Sequence, residues 1–121
     1  MAGIWAATLR EAAYIAESLG DSQLAAQYAA DQAKAQEAVN KIFWNDKTNF
    51  YNLAMWRDRT FSDEQAVLVA VPVLLGVTDP DKSEISADRF STKYFSSDWG
   101  TRMLGYNSSY YDPGSYHYGS V

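Results

Sequence analysis

The sequence has no cysteine among its 121 residues and a single histidine, His117. Disulfide bonds, thiol nucleophiles and thiolate metal sites are therefore excluded. Basic residues are also few: the chain has ten Lys and Arg against fifteen Asp and Glu, and the basic residues form no cluster in the sequence. Nucleic acids and anionic membrane surfaces are poor partners for such a chain. No apolar run reaches the roughly 18 residues of a membrane span, so we predict no membrane partner either.

What is present is typical of a folded protein. Hydrophobic residues make up 47% of the chain and aromatic residues 15%, which argues against disorder. The length corresponds to one domain with a modest core, and we predict a single domain over residues 1–121. The first 21 residues lack the features of a signal peptide and have apolar residues at helical spacing, among them Trp5, Leu9, Ala16 and Leu19.

Local signals predict a mainly all-α fold of two αα-hairpins. The predicted helices cover about residues 4–19, 22–44, 63–75 and 80–90, and a long loop covers 91–121. Gly20 is a typical helix C-cap and Asp21 with Ser22 a typical N-cap, so the first two helices form a hairpin. The stretch after the second helix is rich in turn formers and predicts a short β segment.

The third predicted helix begins with a capping-box spacing, Ser62 to Gln65. The run 65–77 that follows is apolar on every side, which predicts burial all round. Asp79 and Pro80 are a typical N-cap and first helical residue for the fourth helix.

Few residues are candidates for catalysis. Asp63 and Glu64 lie at the start of a predicted helix, where acidic residues interact favourably with the helix dipole and need no other role. Asp98 lies beside Trp99 and near Arg102, and it is either a turn residue or a ligand-binding acid. His117 has no partners at metal-ligand spacing, so we predict no metal and no cofactor.

The C-terminal segment, from Ser97 onward, is the strongest functional candidate. It is rich in aromatic residues, and Arg102 and His117 lie between them in the sequence. The aromatic residues are Trp99, Tyr106, Tyr110, Tyr111, Tyr116 and Tyr118. Aromatic faces stack on the apolar faces of sugar rings, while Tyr, Arg and His can bond to ring hydroxyls. From chemistry alone, a sugar-binding loop and a loop that seals the helix ends are equally supported.

Three stretches resemble the helical-toroid glycosidases. They are the ordered pattern of Trp, LR, AA, AE and LGD from Trp5 to Asp21, the segment FWNDKTNFYNLA from Phe43 to Ala54, and the pair DWGTRML (Asp98–Leu104) and YDPGSYHYGSV (Tyr111–Val121). The last pair is the most specific. The similarity is to bacterial amylo-α-1,6-glucosidase and glycogen-debranching-like proteins.

This resemblance implies a barrel of six helical hairpins with a sugar-binding funnel, of which this chain supplies two hairpins. It implies that Trp99, Arg102, Tyr116 and His117, with Asp98, line or support the funnel. It also implies inverting hydrolysis by two carboxylates. The motifs place the acid before Met1 and the base after Val121, so the catalytic residues stay unassigned and we expect the chain to be an inactive segment of a bacterial, cytoplasmic enzyme.

Three hypotheses stay open from the sequence. The first is a segment of a glycoside hydrolase domain with carbohydrate as its partner. The second is a non-enzymatic helical interaction module, and the third is a carbohydrate-binding relic without catalysis. As a segment of a toroid, two hairpins would expose apolar faces, above all in residues 65–77, so we expect a homo-oligomer or a swapped assembly.

Overall fold

The computed structural model describes residues 1–62 and 64–115. The helices are α1 (Ala2–Ser18), α2 (Ser22–Ile42), α3 (Ala70–Leu74) and α4 (Pro80–Ser91), and the strands are β1 (Trp44–Asn45), β2 (Phe50–Tyr51), β3 (Ser96–Ser97) and β4 (Gly100–Thr101). The prediction of a mainly helical fold is confirmed. The chain divides into two compact units, a helical unit (Met1–Ile42 with Val71–Asp79) and a mixed unit (Phe43–Ala70 with Pro80–Val121).

The helical unit is built on the predicted αα-hairpin of α1 and α2. Gly20 has a φ of 81°, which a residue without a Cβ adopts at no steric cost. The N–H groups of Gly20 and Asp21 donate to the last turn of α1, and Asp21 Oδ1 accepts the Leu24 N–H at 3.0 Å. The predicted C-cap and N-cap are both confirmed, and together they set the tight reversal between the helices.

The core of the helical unit is made of small residues. Ala6 and Ala7 pack with Val77, and Leu75 lies against the same cluster. A Cβ on Gly3 would lie 2.5 Å from Pro72 Cβ, so α1 lies too close to Pro72 of α3 for a side chain at position 3. Trp5 and Leu19, by contrast, are exposed. The alanine-rich face of α1, which also includes Leu9, is buried because small side chains allow the closest packing, whereas Ile4, Trp5 and Ile15 lie outside it.

Asn40 fixes the last part of the helical unit. Its Nδ2 donates to Gln36 O at 2.9 Å and to Val77 O at 3.0 Å, and its Oδ1 accepts the Asp79 N–H at 2.7 Å. The side chain is buried, so each of these bonds satisfies a group that water cannot reach.

The mixed unit starts with a small antiparallel hairpin. Trp44 pairs with Tyr51 and Asn45 with Phe50. Asn49, with a φ of 48°, closes the turn, which is a conformation that Asn tolerates better than most residues. The predicted short β segment is therefore a complete hairpin, because both strands lie within it.

An aromatic cluster forms the core of the mixed unit. The ring of Phe50 lies 5.5 Å from that of Phe90 and 5.7 Å from that of Phe95, and the last two are 5.3 Å apart. Phe50 and Phe95 are completely buried. The cluster joins β2, α4 and the residues that follow α4.

The third helix is shorter than predicted. Ala66 is extended and bridges Leu104, and the Val67 N–H donates to Met103 O at 2.9 Å. A short 3-10 turn covers Val67–Val69, and α3 begins only at Ala70. The predicted start near residue 63 is wrong because residues 65–67 pair with the C-terminal segment, which supplies partners outside a helix for their backbone groups.

The apolar run 65–77 is not buried all round. Ala66, Val69 and Val77 are buried, but Leu68 is 54% exposed and Leu74 is 83% exposed. The prediction of complete burial is therefore wrong for the chain as described. The exposed side chains of Leu68 and Leu74 lie in the run where two hairpins are expected to leave apolar surface uncovered.

Candidate functional site

The C-terminal segment is not the continuous loop that the sequence predicts. Residues 96 and 97 pair with 100 and 101 to form a hairpin whose two central residues are Asp98 and Trp99. Ser97 Oγ donates to Gly100 O at 2.7 Å, and Gly100 has a φ of 140°. The glycine supplies the positive φ that the turn requires, so the sequence Ser-Asp-Trp-Gly determines this tip.

Trp99 stands at the end of this hairpin with 92% of its surface exposed. Asp98 beside it is exposed as well. A tryptophan that exposes both faces of its ring contributes nothing to a core, and a tight hairpin is a firm support for it. Within the described chain, Trp99 is therefore not part of a packed core.

Arg102 holds the base of the hairpin. Its Nη1 donates to Lys93 O at 2.8 Å and to Ser96 O at 2.5 Å, and its Nε donates to Tyr111 Oη at 3.2 Å. The guanidinium also lies 5.5 Å from the Tyr106 ring centroid and 5.6 Å from that of Tyr111. Two of its three nitrogens are thus occupied by the protein itself.

The structure separates the predicted site residues into three groups. Trp99 and Asp98 lie together at the hairpin tip, and Arg102 lies at its base. The suggested pairing of Asp98 with Arg102 is not formed, because the guanidinium is directed toward backbone carbonyls instead. Tyr116 and His117 lie outside the described residues.

Beyond the hairpin, the chain is attached to the segment that precedes α3. The Gly105 N–H donates to Gln65 O at 2.8 Å, and Ser108 Oγ donates to Glu64 Oε2. Tyr106 and Tyr110 are largely exposed on the same stretch. The C-terminal segment is therefore fixed along residues 103–108 and presents aromatic side chains to its surroundings.

A polar pocket that the sequence analysis does not predict lies in the mixed unit. Its volume is about 240 Å³, and it is lined by Asn45, Thr48, Tyr51, Asn52, Ser62, Glu64 and Gln65. From the sequence, Asn45 is one of the turn formers after the second helix and Glu64 is a helix-dipole residue. One sequence signal could have indicated the pocket: amide and carboxyl side chains are frequent within the predicted β segment and after it. Turn preferences alone do not account for so many of them.

Hydrogen bonds to the protein fix the side chains of this pocket. Asn45 Nδ2 donates to Asn52 Oδ1 at 3.2 Å, and the Lys47 N–H donates to Asn45 Oδ1 at 3.0 Å. The Glu64 N–H donates to Ser62 Oγ at 3.3 Å. Such bonds order the polar groups before any ligand arrives, which reduces the entropy that binding costs.

Arg89 of α4 supports the pocket from behind. Its Nη1 donates to Gln65 Oε1 and its Nη2 to Thr48 O, both at 2.8 Å, and its guanidinium lies 5.2 Å from the Phe50 ring centroid. One residue thus connects the aromatic core of the mixed unit to two lining residues of the polar pocket.

Tyr94 lies close to the same groups. Burial raises the pKa of its hydroxyl, with a smaller raising effect from the Glu64 carboxylate and a lowering effect from Arg89. The phenol is therefore neutral at physiological pH. Its ring packs directly over Gly105.

Other kinds of site find no support in the described part of the chain. Residues 1–62 and 64–115 contain no group of three His, Cys, Asp or Glu side chains that could hold a metal ion. Among the same residues, no helix combines the length and the apolar character needed to cross a lipid bilayer.

Comparisons with known proteins agree with the predicted relationship. The model of the mannosylglycerate hydrolase MGH1-like glycoside hydrolase domain matches residues 1–121. Among solved structures, a sialidase matches with a TM-score of 0.83 at 16% identity, over 94% of this chain and 10% of that one. The chain thus spans about a tenth of the length of that structure, and the likeness is one of fold alone. No curated protein gives a significant match. Because the family model covers the whole sequence, the chain belongs to the MGH1-like glycoside hydrolase domain family.

Proposed function

We propose that this chain is part of a glycoside hydrolase catalytic domain of the helical-toroid type, acting on α-glucosidic or related oligosaccharides. Family membership supports carbohydrate as the class of substrate. The resemblance to glycogen-debranching-like proteins, carried by Asp98–Leu104 and Tyr111–Val121, favours α-glucosidic linkages. The bacterial cytoplasm stays the predicted compartment.

The observation that carries the proposal is the presentation of Trp99. An indole ring that is 92% exposed on a two-residue turn offers a flat apolar surface, which matches the C–H face of a pyranose ring. Arg102 acts as a positioning residue in this reading, since its bonds to Lys93 O and Ser96 O hold the hairpin base. Asp98 lies next to the indole and would accept a hydrogen bond from a sugar hydroxyl.

The test is tryptophan fluorescence during titration with maltoheptaose. The chain has four tryptophans, so Trp99→Phe is compared with Trp56→Phe, a matched control at another exposed position of the mixed unit. We expect a saturable change in emission in the unaltered chain and in Trp56→Phe, and its loss in Trp99→Phe. An unchanged response in Trp99→Phe, or no binding of maltoheptaose by calorimetry, would overturn the assignment.

We also propose that the chain by itself does not hydrolyse glycosides. Inverting hydrolysis needs two carboxyl groups about 6.5–9.5 Å apart, one as acid and one as base. Among the described residues that line the polar pocket, Glu64 carries the only carboxylate. Release of nitrophenol from nitrophenyl α-glucoside should therefore stay at the background rate. Turnover that disappears in Glu64→Gln would contradict this statement.

The assembly proposed from the sequence is supported by the exposed side of α1. Ile4, Trp5, Ile15 and Leu19 are each between 47% and 80% exposed, which is unusual for a single helix. We propose that a second copy of the chain covers this side, as a homo-oligomer or swapped assembly. Light scattering of the unaltered chain should give a multiple of the monomer mass. The double variant Ile15→Glu with Leu19→Glu should give a lower mass. A monomeric mass for the unaltered chain would contradict the proposal.

The same exposed side is what favours the alternative, a non-enzymatic interaction module. That alternative predicts that the α1 variants lose their binding partner while maltoheptaose has no effect on Trp99. The maltoheptaose titration above therefore separates it from the carbohydrate function.

A further inference from the structure

The side chains of the polar pocket share one arrangement. Three of them use one polar atom of a forked head group to bond to the protein, and the other atom has no protein partner within residues 1–62 and 64–115. Asn52 Oδ1 accepts from Asn45, Gln65 Oε1 accepts from Arg89, and Glu64 Oε2 accepts from Ser108. These bonds determine which atom of each head group is left for a ligand.

The atoms that are left are two donors and one acceptor. With their oxygens occupied, Asn52 and Gln65 offer Nδ2 and Nε2 as N–H donors. With Oε2 occupied, Glu64 offers Oε1. An oxygen of an ionised carboxylate can accept hydrogen bonds but cannot donate them. Ser62, whose Oγ already accepts the Glu64 N–H, retains a hydroxyl hydrogen.

We propose that the polar pocket is a binding subsite for adjacent hydroxyl groups of a neutral sugar or polyol. A hydroxyl group is both a donor and an acceptor, so one can donate to Glu64 Oε1 and accept from Asn52 or Gln65 at once. The volume of about 240 Å³ lies below the range of drug-sized ligand sites, about 300–1,000 Å³, and corresponds to a small ligand such as one sugar ring.

The charge of the pocket favours a neutral ligand over an acid. Among the described residues that line it, Glu64 is the only formally charged one. The guanidinium of Arg89 lies behind the lining and directs its hydrogen bonds to Gln65 Oε1 and Thr48 O rather than to the cavity. A carboxylate ligand would place its charge near Glu64, and the other described lining residues are neutral amide and hydroxyl side chains.

The class of ligand rests on the proposed carbohydrate function, but the site is separate from Trp99. It uses different residues and can be observed by different signals. Failure of either proposal can therefore be recognised without reference to the other.

The test is a titration of the 15N-labelled full chain, followed at the side-chain NH2 resonances of Asn52 and Gln65. The probes are methyl α-D-glucopyranoside and glycerol as neutral ligands, and sodium gluconate as a polyol with a carboxylate, at constant ionic strength. We expect saturable shifts of both NH2 pairs with the glucoside, weaker ones with glycerol, and an affinity for gluconate reduced by about tenfold or more.

Two isosteric variants test the assigned atoms. Glu64→Gln places an amide where the acceptor carboxylate was, and Asn52→Asp replaces the NH2 donor with an oxygen while an acceptor for Asn45 is kept. Each should weaken binding of the glucoside by about tenfold, since Glu64→Gln replaces a charged acceptor with a neutral amide and Asn52→Asp replaces a donor with an acceptor. Glu84→Gln, an exposed position on α4, is the control and should bind as the unaltered chain does.

Backbone amide spectra of each variant show whether it is folded. Should Glu64→Gln lose its fold through the Ser108 contact, Asn52→Asp tests the proposal independently. The proposal is wrong if the glucoside shifts neither NH2 pair, if gluconate binds as well as the glucoside, or if a folded variant binds like the unaltered chain. Loss of the maltoheptaose response at Trp99 with normal shifts at Asn52 and Gln65 would overturn the proposed function of Trp99 alone.

Discussion

Ser108 donates a hydrogen bond to Glu64 across 44 positions of the sequence. The bond connects the aromatic C-terminal segment to the polar pocket, and the backbone bond from Gly105 to Gln65 runs beside it. Both segments belong to the mixed unit. The residues that carry the hairpin of Trp99 and those that line the pocket are therefore parts of one connected structure.

Removal of this hydroxyl should loosen the C-terminal segment. Ser108→Ala leaves Glu64 Oε2 without its donor, and a hydrogen bond to a charged group contributes about 1.5–3 kcal/mol. Because the serine is only partly buried, we expect a loss near or below the lower end of that range in the free energy of unfolding, measured with urea. Ser109→Ala, an exposed neighbour, is the control and should change it by less than about 0.5 kcal/mol. Equal effects of the two variants would show that the bond has no energetic role.

Replacement of Arg102 should release the hairpin without unfolding the unit. Lysine keeps the charge but not the planar fork, so Arg102→Lys cannot bond to Lys93 O, Ser96 O and Tyr111 Oη together. We expect hydrogen exchange at the amides of residues 96–102 to accelerate by about tenfold, from the loss of one to two net hydrogen bonds. Arg57→Lys, in an exposed loop, should leave these rates unchanged. Unchanged exchange in Arg102→Lys would mean that the strand pairing alone holds the tip.

Gly105 should not accept even a methyl group. A Cβ there would lie 2.0 Å from Tyr94 Cε1 and 2.3 Å from Cζ, so ring or backbone must move. Overpacking of this kind costs about 1–3 kcal/mol, and we expect a loss of that size in urea unfolding for Gly105→Ala. Gly114→Ala is the control, since its Cβ would meet an atom at 3.6 Å. In a background of Tyr94→Ala, which removes the ring, Gly105→Ala should cost less free energy of unfolding than it does in the unaltered chain. If the losses of the two single variants simply add in the double variant, the contact is contradicted.

Local signals in the sequence predicted the helices well where one segment determines the structure. Gly20 and Asp21 fixed the α1–α2 reversal, and Asp79 with Pro80 fixed the start of α4, because caps depend on a few adjacent residues. The start of the third helix was not predictable in this way. There a capping-box pattern competes with backbone pairing to residues about 40 positions later, and periodicity contains no information on that pairing.

The candidate site shows the same division. A composition rich in Tyr and Trp is the signal that directs attention to the C-terminal segment, and its role as a sugar-binding site stays a prediction. The sequence did not reveal that Arg102 is held by backbone carbonyls, nor that Glu64 and Ser108 are in contact, because both depend on how distant segments meet. The polar pocket was missed for the same reason, since its lining comes from two stretches with an exposed loop between them.

Tyr94 should make the mixed unit sensitive to alkaline pH. Burial raises the pKa of its hydroxyl above the ordinary value of 10.0, whereas in the unfolded chain the phenol titrates near that value. Between the two pKa values the unfolded chain binds fewer protons than the folded one, so the free energy of unfolding decreases as pH rises. Its contribution is fully present below pH about 10 and is lost above it. Tyr94→Phe has no hydroxyl to ionise, so its stability should decline less as the pH rises above about 10 when both proteins are unfolded with urea at each pH. Tyr14→Phe, on the exposed side of α1, is the matched control and should decline as the unaltered chain does. Parallel declines in all three proteins would show that the phenol of Tyr94 ionises equally easily in the folded and unfolded states.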